Sequence, residues 1–150
     1  MLRSSDRSDE RTQAEELIWA LWCSHEDQDA ARALQKATGA MNRREISAAE
    51  PILDQLIQDY PNWAEPWNKR ATLWFIAGRD LDSLDDIWRT LELEPRHFGA
   101  ISGLGQICLR SGDEMSGLIA FQFALQMNPN LTEIRAVASA LKDRLKRIVH

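Results

Sequence analysis

The chain has 150 residues, the size of one ordinary domain, with 44 % apolar and 27 % charged residues. Gly and Pro number only 7 and 5, so the turn chemistry of a strand-rich fold is scarce and an all-α fold is expected. A net charge of −5 excludes the basic footprint of a nucleic-acid binder, though not attraction to a basic surface on a partner.

The first sixteen residues, MLRSSDRSDERTQAEE, are polar and mixed in charge, and residues 1–12 are expected to form a disordered tail. A secretory leader needs a basic start followed directly by an apolar stretch, which this start lacks. A helix is expected over 13–24. It holds the longest apolar run, LIWALWC, whose seven residues are far short of a membrane span. Leu21 and Trp22 precede Cys23, where a lipidation site would need a small residue. No membrane association is expected, and a cytoplasmic location follows by default. Cys23 and Cys108 lie far apart with no metal-ligand spacing, as expected of two reduced, partly buried thiols.

From residue 28 the sequence repeats. Pro61, Pro95 and Pro129 are spaced by 34 residues, each closing an apolar stretch and a polar pair. At that offset Gly78 falls on Gly112, Trp67 on Ile101, Ala71 on Gly105, Ile87 on Phe121 and Leu91 on Leu125. One step earlier, Ala49 falls on Ser83, Leu53 on Ile87 and Ile57 on Leu91. Small matches small and bulky matches bulky, and a period between about 20 and 50 residues signals stacked structural units.

Each unit reads as two antiparallel helices. AEPWNKRATLWFIAG places Trp67, Ala71, Trp74 and Phe75 on one stripe, and LDSLDDIWRTLELEP places Leu84, Ile87 and Leu91 on another, with Trp88 beside it. Each proline stands where the second helix must stop, because it lacks an N–H and its ring clashes with a continuing helix. Ser47 with Glu50, Asn62 with Glu65, and Asn130 with Glu133 have capping-box spacing, which would put Pro51 and Pro66 in first helical turns. Small residues beside bulky ones let paired helices approach closely. The final helix carries the stripe Leu131, Ile134, Val137, Leu141, Leu145 and Ile148. Its basic cluster Lys142, Arg144, Lys146 and Arg147 reads as a solubilising cap rather than a binding patch.

Trp67, Ala71, Gly78, Ile87 and Pro95, then Leu104, Gly105, Gly112, Phe121, Ala124 and Pro129, resemble the tetratricopeptide repeat (TPR) in its small bacterial form. The resemblance implies an α-solenoid of about three repeats, with an extra N-terminal helix and a C-terminal capping helix. Repeats are placed at 64–97 and 98–131. A degenerate unit at 28–61 has Arg44 where the turn glycine belongs, and the capping helix covers 131–148. Trp19, Trp22 and Cys23 fall one period before Leu53, Leu56 and Ile57, so the N-terminal helix is expected to stack in repeat register.

The resemblance carries no enzyme activity. It implies a groove for an extended peptide or partner helix, lined by Asn68, Thr72, Phe75 and Ile76, then Ser102, Gln106, Leu109 and Arg110, with Leu34, Thr38 and Met41 in the degenerate unit. Some TPR domains hold the acidic tail of a chaperone with lysines and asparagines. Thr72 and Gln106 stand where asparagine would be needed, so no chaperone-tail binding is expected.

Nothing in the chain points to catalysis. His25, His97 and His150 are far apart, and His97 reads as a neutral or solvent-facing turn residue. GAISGLGQ contains a glycine pattern of phosphate loops but follows no strand, so that function fails its context. Five tryptophans lie on or near apolar stripes and are expected in the core, while Trp63 is expected to staple a helix entry. The expectation is therefore a non-catalytic protein-interaction module with no cofactor and no metal. The alternative is a structural subunit assembling through its Trp-rich helix or repeat ends, and weak homo-oligomerisation is allowed.

Overall fold

The computed structural model describes residues 4–149. Among them are eight helices and no strand: α1 (Ser4–Cys23), α2 (Gln28–Asn42), α3 (Ile46–Asp59), α4 (Ala64–Ile76), α5 (Asp80–Leu93), α6 (Phe98–Arg110), α7 (Glu114–Met127) and α8 (Thr132–Val149). Helices α2/α3, α4/α5 and α6/α7 pack as pairs, and α8 closes the stack against α7. The first helices of successive pairs also touch, α2 on α4 and α4 on α6, which makes them the inner row of the array.

The turns inside the pairs share one backbone conformation. Gly78 and Gly112 have φ of 78° and 87°, in the left-handed region that a residue without Cβ enters freely. Arg44, at the same place in the degenerate pair, is held at φ 59°. The turn survives loss of its glycine, at a local cost of about 1 kcal/mol.

The core follows the small-on-large pattern. Leu34, Leu53, Leu73, Phe121 and Thr90 are fully buried, as are Ala37, Ala49 and Ala124. A Cβ at Gly105 would fall 2.5 Å from the Phe121 ring, so only glycine admits that ring against α6. Arg70 ties three helices together. Its Nε and Nη2 donate to Asp86 of α5 at 2.8 and 2.9 Å, and its Nη1 donates to Asp54 of α3 at 3.0 Å.

Several local expectations are corrected. Helix α1 begins at Ser4, so residues 4–12 are helical where a disordered tail is expected; residues 1–3 lie outside the described residues. The stretch DERTQAEE is rich in helix formers, and Thr12 reaches a hollow beside Pro129, Asn130 and Arg135. Neither Ser47 nor Asn62 caps a helix: α3 and α4 begin after Glu45 and Trp63, without a side-chain cap. Pro51 therefore lies inside α3, beyond its first turn. The side-chain caps are Asp27 on α2, His97 on α6 and Asp113 on α7. Trp88 is 63 % exposed and Ile148 is exposed, so neither joins the core.

Helix α1 does not stack as a further repeat helix. Trp19 and Trp22 pack on Phe98 at the start of α6, and the Trp22 carbonyl accepts from Trp63 Nε1 at 2.9 Å, just before α4. With Thr12 beside Pro129, α1 runs across the row of inter-repeat loops as a strap. The ten residues from Thr12 to Trp22 rise ~15 Å, which matches a path across helices packed ~8–10 Å apart. Spacing in sequence could not distinguish these placements, because both put Trp19 and Trp22 against the array.

Candidate functional site

The eight expected groove residues lie on α4 and α6, but only four share one cavity. Asn68, Thr72, Phe75 and Gln106 line a cleft of about 150 Å³ between α4, α5 and α6. Its remaining walls are small or aliphatic: Ala71, Ser83, Ile87, Gly99, Ala100 and Gly103. At ~30 Å³ per water, this is room for about five waters or one apolar side chain. Gly103 opens it, because a Cβ there would meet only Ile87 Cδ1, at 3.6 Å. The signal for this feature lay in GAISGLGQ, where Gly99 and Gly103 are one helical turn apart and strip one face of α6 of side chains.

The other expected residues do not line this cleft. Leu109 packs on the cluster of Leu118, Phe121 and Leu141. The Ser102 hydroxyl is buried without a hydrogen-bond partner, and Ile76 is half-buried. Arg110 is the one charged residue among the eight. Its guanidinium lies 3.7 Å above the Phe75 ring, donates to the Phe75 carbonyl at 2.7 Å and pairs with Asp80. That hydrogen bond holds the Asp80 carboxyl below its ordinary value and raises the Arg110 guanidinium. Arg110 thus closes the C-terminal end of α4, and its charge is already matched within the chain. In the degenerate unit Leu34 and Met41 are buried in the core, and the Thr38 hydroxyl donates back to the Leu34 carbonyl at 2.8 Å.

At one end the groove is bounded by a buried polar cluster. His97 and Glu65 are fully buried and joined at 2.8 Å through Nε2 and Oε2. Ala100 N donates to His97 Nδ1 at 3.1 Å, so the ring proton sits on Nε2 and is donated to Glu65. Glu65 Oε1 accepts from Asn68 Nδ2 at 3.1 Å, with Lys69 at 3.8 Å. Trp22 stacks on the imidazole at 4.0 Å between ring centres, and the Trp19 ring fills the space over Gly99. His97 is therefore neither solvent-facing nor open to a substrate: it caps α6 and anchors α1. Sequence reasoning missed this role because the cover comes from residues more than seventy positions away. Burial raises both thiols, Cys23 and Cys108. Among the described residues no group of three or more His, Cys, Asp or Glu could hold a metal, and no helix is long and apolar enough to cross a membrane.

A larger hollow, about 760 Å³, opens beside His25, Tyr60 and Trp63. Its polar groups already serve one another: Tyr60 donates to Asp27, and Asp27 N donates to His25 Nδ1 at 2.9 Å.

No family model matches the chain. A TPR repeat-containing protein of Rhizobium etli is 41 % identical over 112 residues, covering 75 % of this chain and 55 % of that protein. The chain thus spans about half the length of that relative. Among solved structures, the Sgt2 TPR domain of Aspergillus fumigatus is 17 % identical with a TM-score of 0.72, over 81 % of this chain and 82 % of that one. The first TPR domain of Spaghetti (RPAP3), bound to the HSP90 peptide SRMEEVD, is 15 % identical with a TM-score of 0.71, over 79 % and 94 %.

Proposed function

We propose that this chain, a tetratricopeptide-repeat array, is a non-catalytic interaction module that holds an extended segment of a partner protein on its inner face. The carrying observation is the cleft between α4, α5 and α6, walled mainly by small and aliphatic side chains, with exposed Thr72 and half-buried Gln106 among its lining residues, while Asn68 is buried and its amide donates to Glu65. Such a site takes one apolar anchor side chain while the Gln106 amide and the Thr72 hydroxyl meet the peptide backbone. An acidic tail of the kind bound by the Spaghetti domain does not suit it. Arg110 is matched by Asp80, and Thr72 and Gln106 replace the amides a carboxylate clamp would use. The groove side chains that stay out of the cleft act as packing and bracing residues.

The test uses Gly103→Leu, which fills the cleft from a position with free space. Peptides selected from a random display library on the full chain should share one apolar residue and bind the variant at least about tenfold more weakly by fluorescence anisotropy. SRMEEVD should not bind. Equal affinity of the selected peptides for both proteins would remove the cleft from the mechanism.

A second reading, assembly through the N-terminal helix, draws on the outer side of α1. There Leu17 and Leu21 are 62 % and 63 % exposed while Trp19 and Trp22 face the array.

A further inference from the structure

Helix α7 shows an outer face unlike that of its counterpart α5. From Met115 to Gln126 it carries no ionisable side chain, whereas α5 presents Asp82, Asp85, Arg89 and Glu92. Met115, Ile119 and Phe123, at successive four-residue steps on one stripe, are 53 %, 48 % and 54 % exposed. Gln122 and Gln126, also exposed, are polar neighbours of this stripe. Solvent-facing helix surfaces are ordinarily charged, while interface cores are depleted of charge and enriched in Met and aromatic residues. On α5, Leu91 packs against the cluster of Phe98, Ile101, Ala120 and Ala124, and Trp88, one turn earlier, is also exposed.

We propose that this face is where two copies of the chain pair about a two-fold axis, α7 against α7. A neutral face meets its own copy without like-charge contact. Each glutamine amide carries both a donor and an acceptor, so Gln122 and Gln126 can satisfy their own copies across the axis. Met115, Ile119 and Phe123 together expose roughly 300–350 Å², within the range for the largest patch on a monomer. Two such faces with their glutamine rims bury at most about 1,000 Å², the size of a weak, transient interface. The dimer is accordingly one of modest affinity.

Sedimentation of the full chain from about 1 µM to 1 mM tests the proposal. A dimer should accumulate across this range, and Ile119→Lys with Phe123→Lys should shift its midpoint upward by more than about 100-fold. Circular dichroism of the variant should be unchanged, since both side chains are about half exposed. An independent measurement places Gln122→Cys in a Cys23→Ser, Cys108→Ser background; oxidation should yield a cross-linked dimer, and Gln55→Cys in the same background should not. A monomer at every concentration overturns the proposal. So does a dimer that survives the lysine variant and is lost on Leu17→Lys with Leu21→Lys, which would place the contact on α1.

Discussion

Two glycines in the middle of α6 separate backbone propensity from packing. Gly103 and Gly105 lie in one helix, and replacing either by alanine gains about 1 kcal/mol in helix propensity. Their surroundings differ. The new Cβ at Gly103 meets a single methyl at 3.6 Å, an ordinary contact. At Gly105 it would lie 2.5, 2.7 and 2.9 Å from three atoms of the Phe121 ring. That ring is fully buried and packed beside Leu118, Ala138 and Leu141, so it must move about 1 Å to restore normal contact. Overpacking of this kind costs about 1–3 kcal/mol, or more where backbone must follow. Gly103→Ala should therefore stabilise by up to about 1 kcal/mol, and Gly105→Ala should give no gain and a net loss of up to about 2 kcal/mol. Urea unfolding followed by circular dichroism resolves a difference of this size, provided the m-values agree. If both variants stabilise equally, the α6–α7 contact is looser than described and the argument for Gly105 fails.

Arg44→Gly relieves a left-handed backbone at a turn, and a gain of about 1 kcal/mol in unfolding free energy is expected; no gain would mean that the arginine side chain compensates. Arg70→Met strands Asp86, whose side chain is only 4 % exposed, and a loss of about 3 kcal/mol is expected by the same unfolding assay. Removing residues 1–23 uncovers Phe98 and the His97–Glu65 pair, so the melting temperature should fall by more than about 5 °C, with Trp22→Ala accounting for much of the drop. The pH dependence follows from three carboxyls. Tyr60 lowers Asp27, Arg110 lowers Asp80, and Ser116 lowers Asp113, each below the ordinary 3.8. Where the folded value is lower, the unfolded chain binds more protons, so stability rises with pH. Their contribution is complete above the ordinary value and is lost as pH falls through the lowered ones. A melting temperature that is flat from neutral pH down to about pH 5 and falls below about pH 4 is expected, and Asp80→Asn should flatten part of that fall.

Much of the fold was legible because it is local and periodic. The 34-residue spacing of Pro61, Pro95 and Pro129 marks where each pair must end, and the alternation of Ala71 or Gly105 with Ile87 or Phe121 marks which faces meet. The site was legible in part. Asn68, Thr72, Phe75 and Gln106 line one cleft, whereas Ser102 and Leu109, at the repeat positions of Asn68 and Phe75, do not. Arg110 does not present its charge there, because Asp80 lies within reach and neutralises it. Leu34 and Met41 are buried because the degenerate pair uses the same helical positions for core packing.

The sequence by itself determined the helix pairs, their order and the small residues that let them approach, since each depends on contacts within about one repeat. Only the tertiary structure decided where α1 lies and what His97 does. The Trp22–His97 stack joins residues with no periodic relation, and a tryptophan pattern says that a face will be covered without saying by what. The same holds for the charge-free side of α7. Its composition is visible in the sequence, but its exposure is a property of the assembled array.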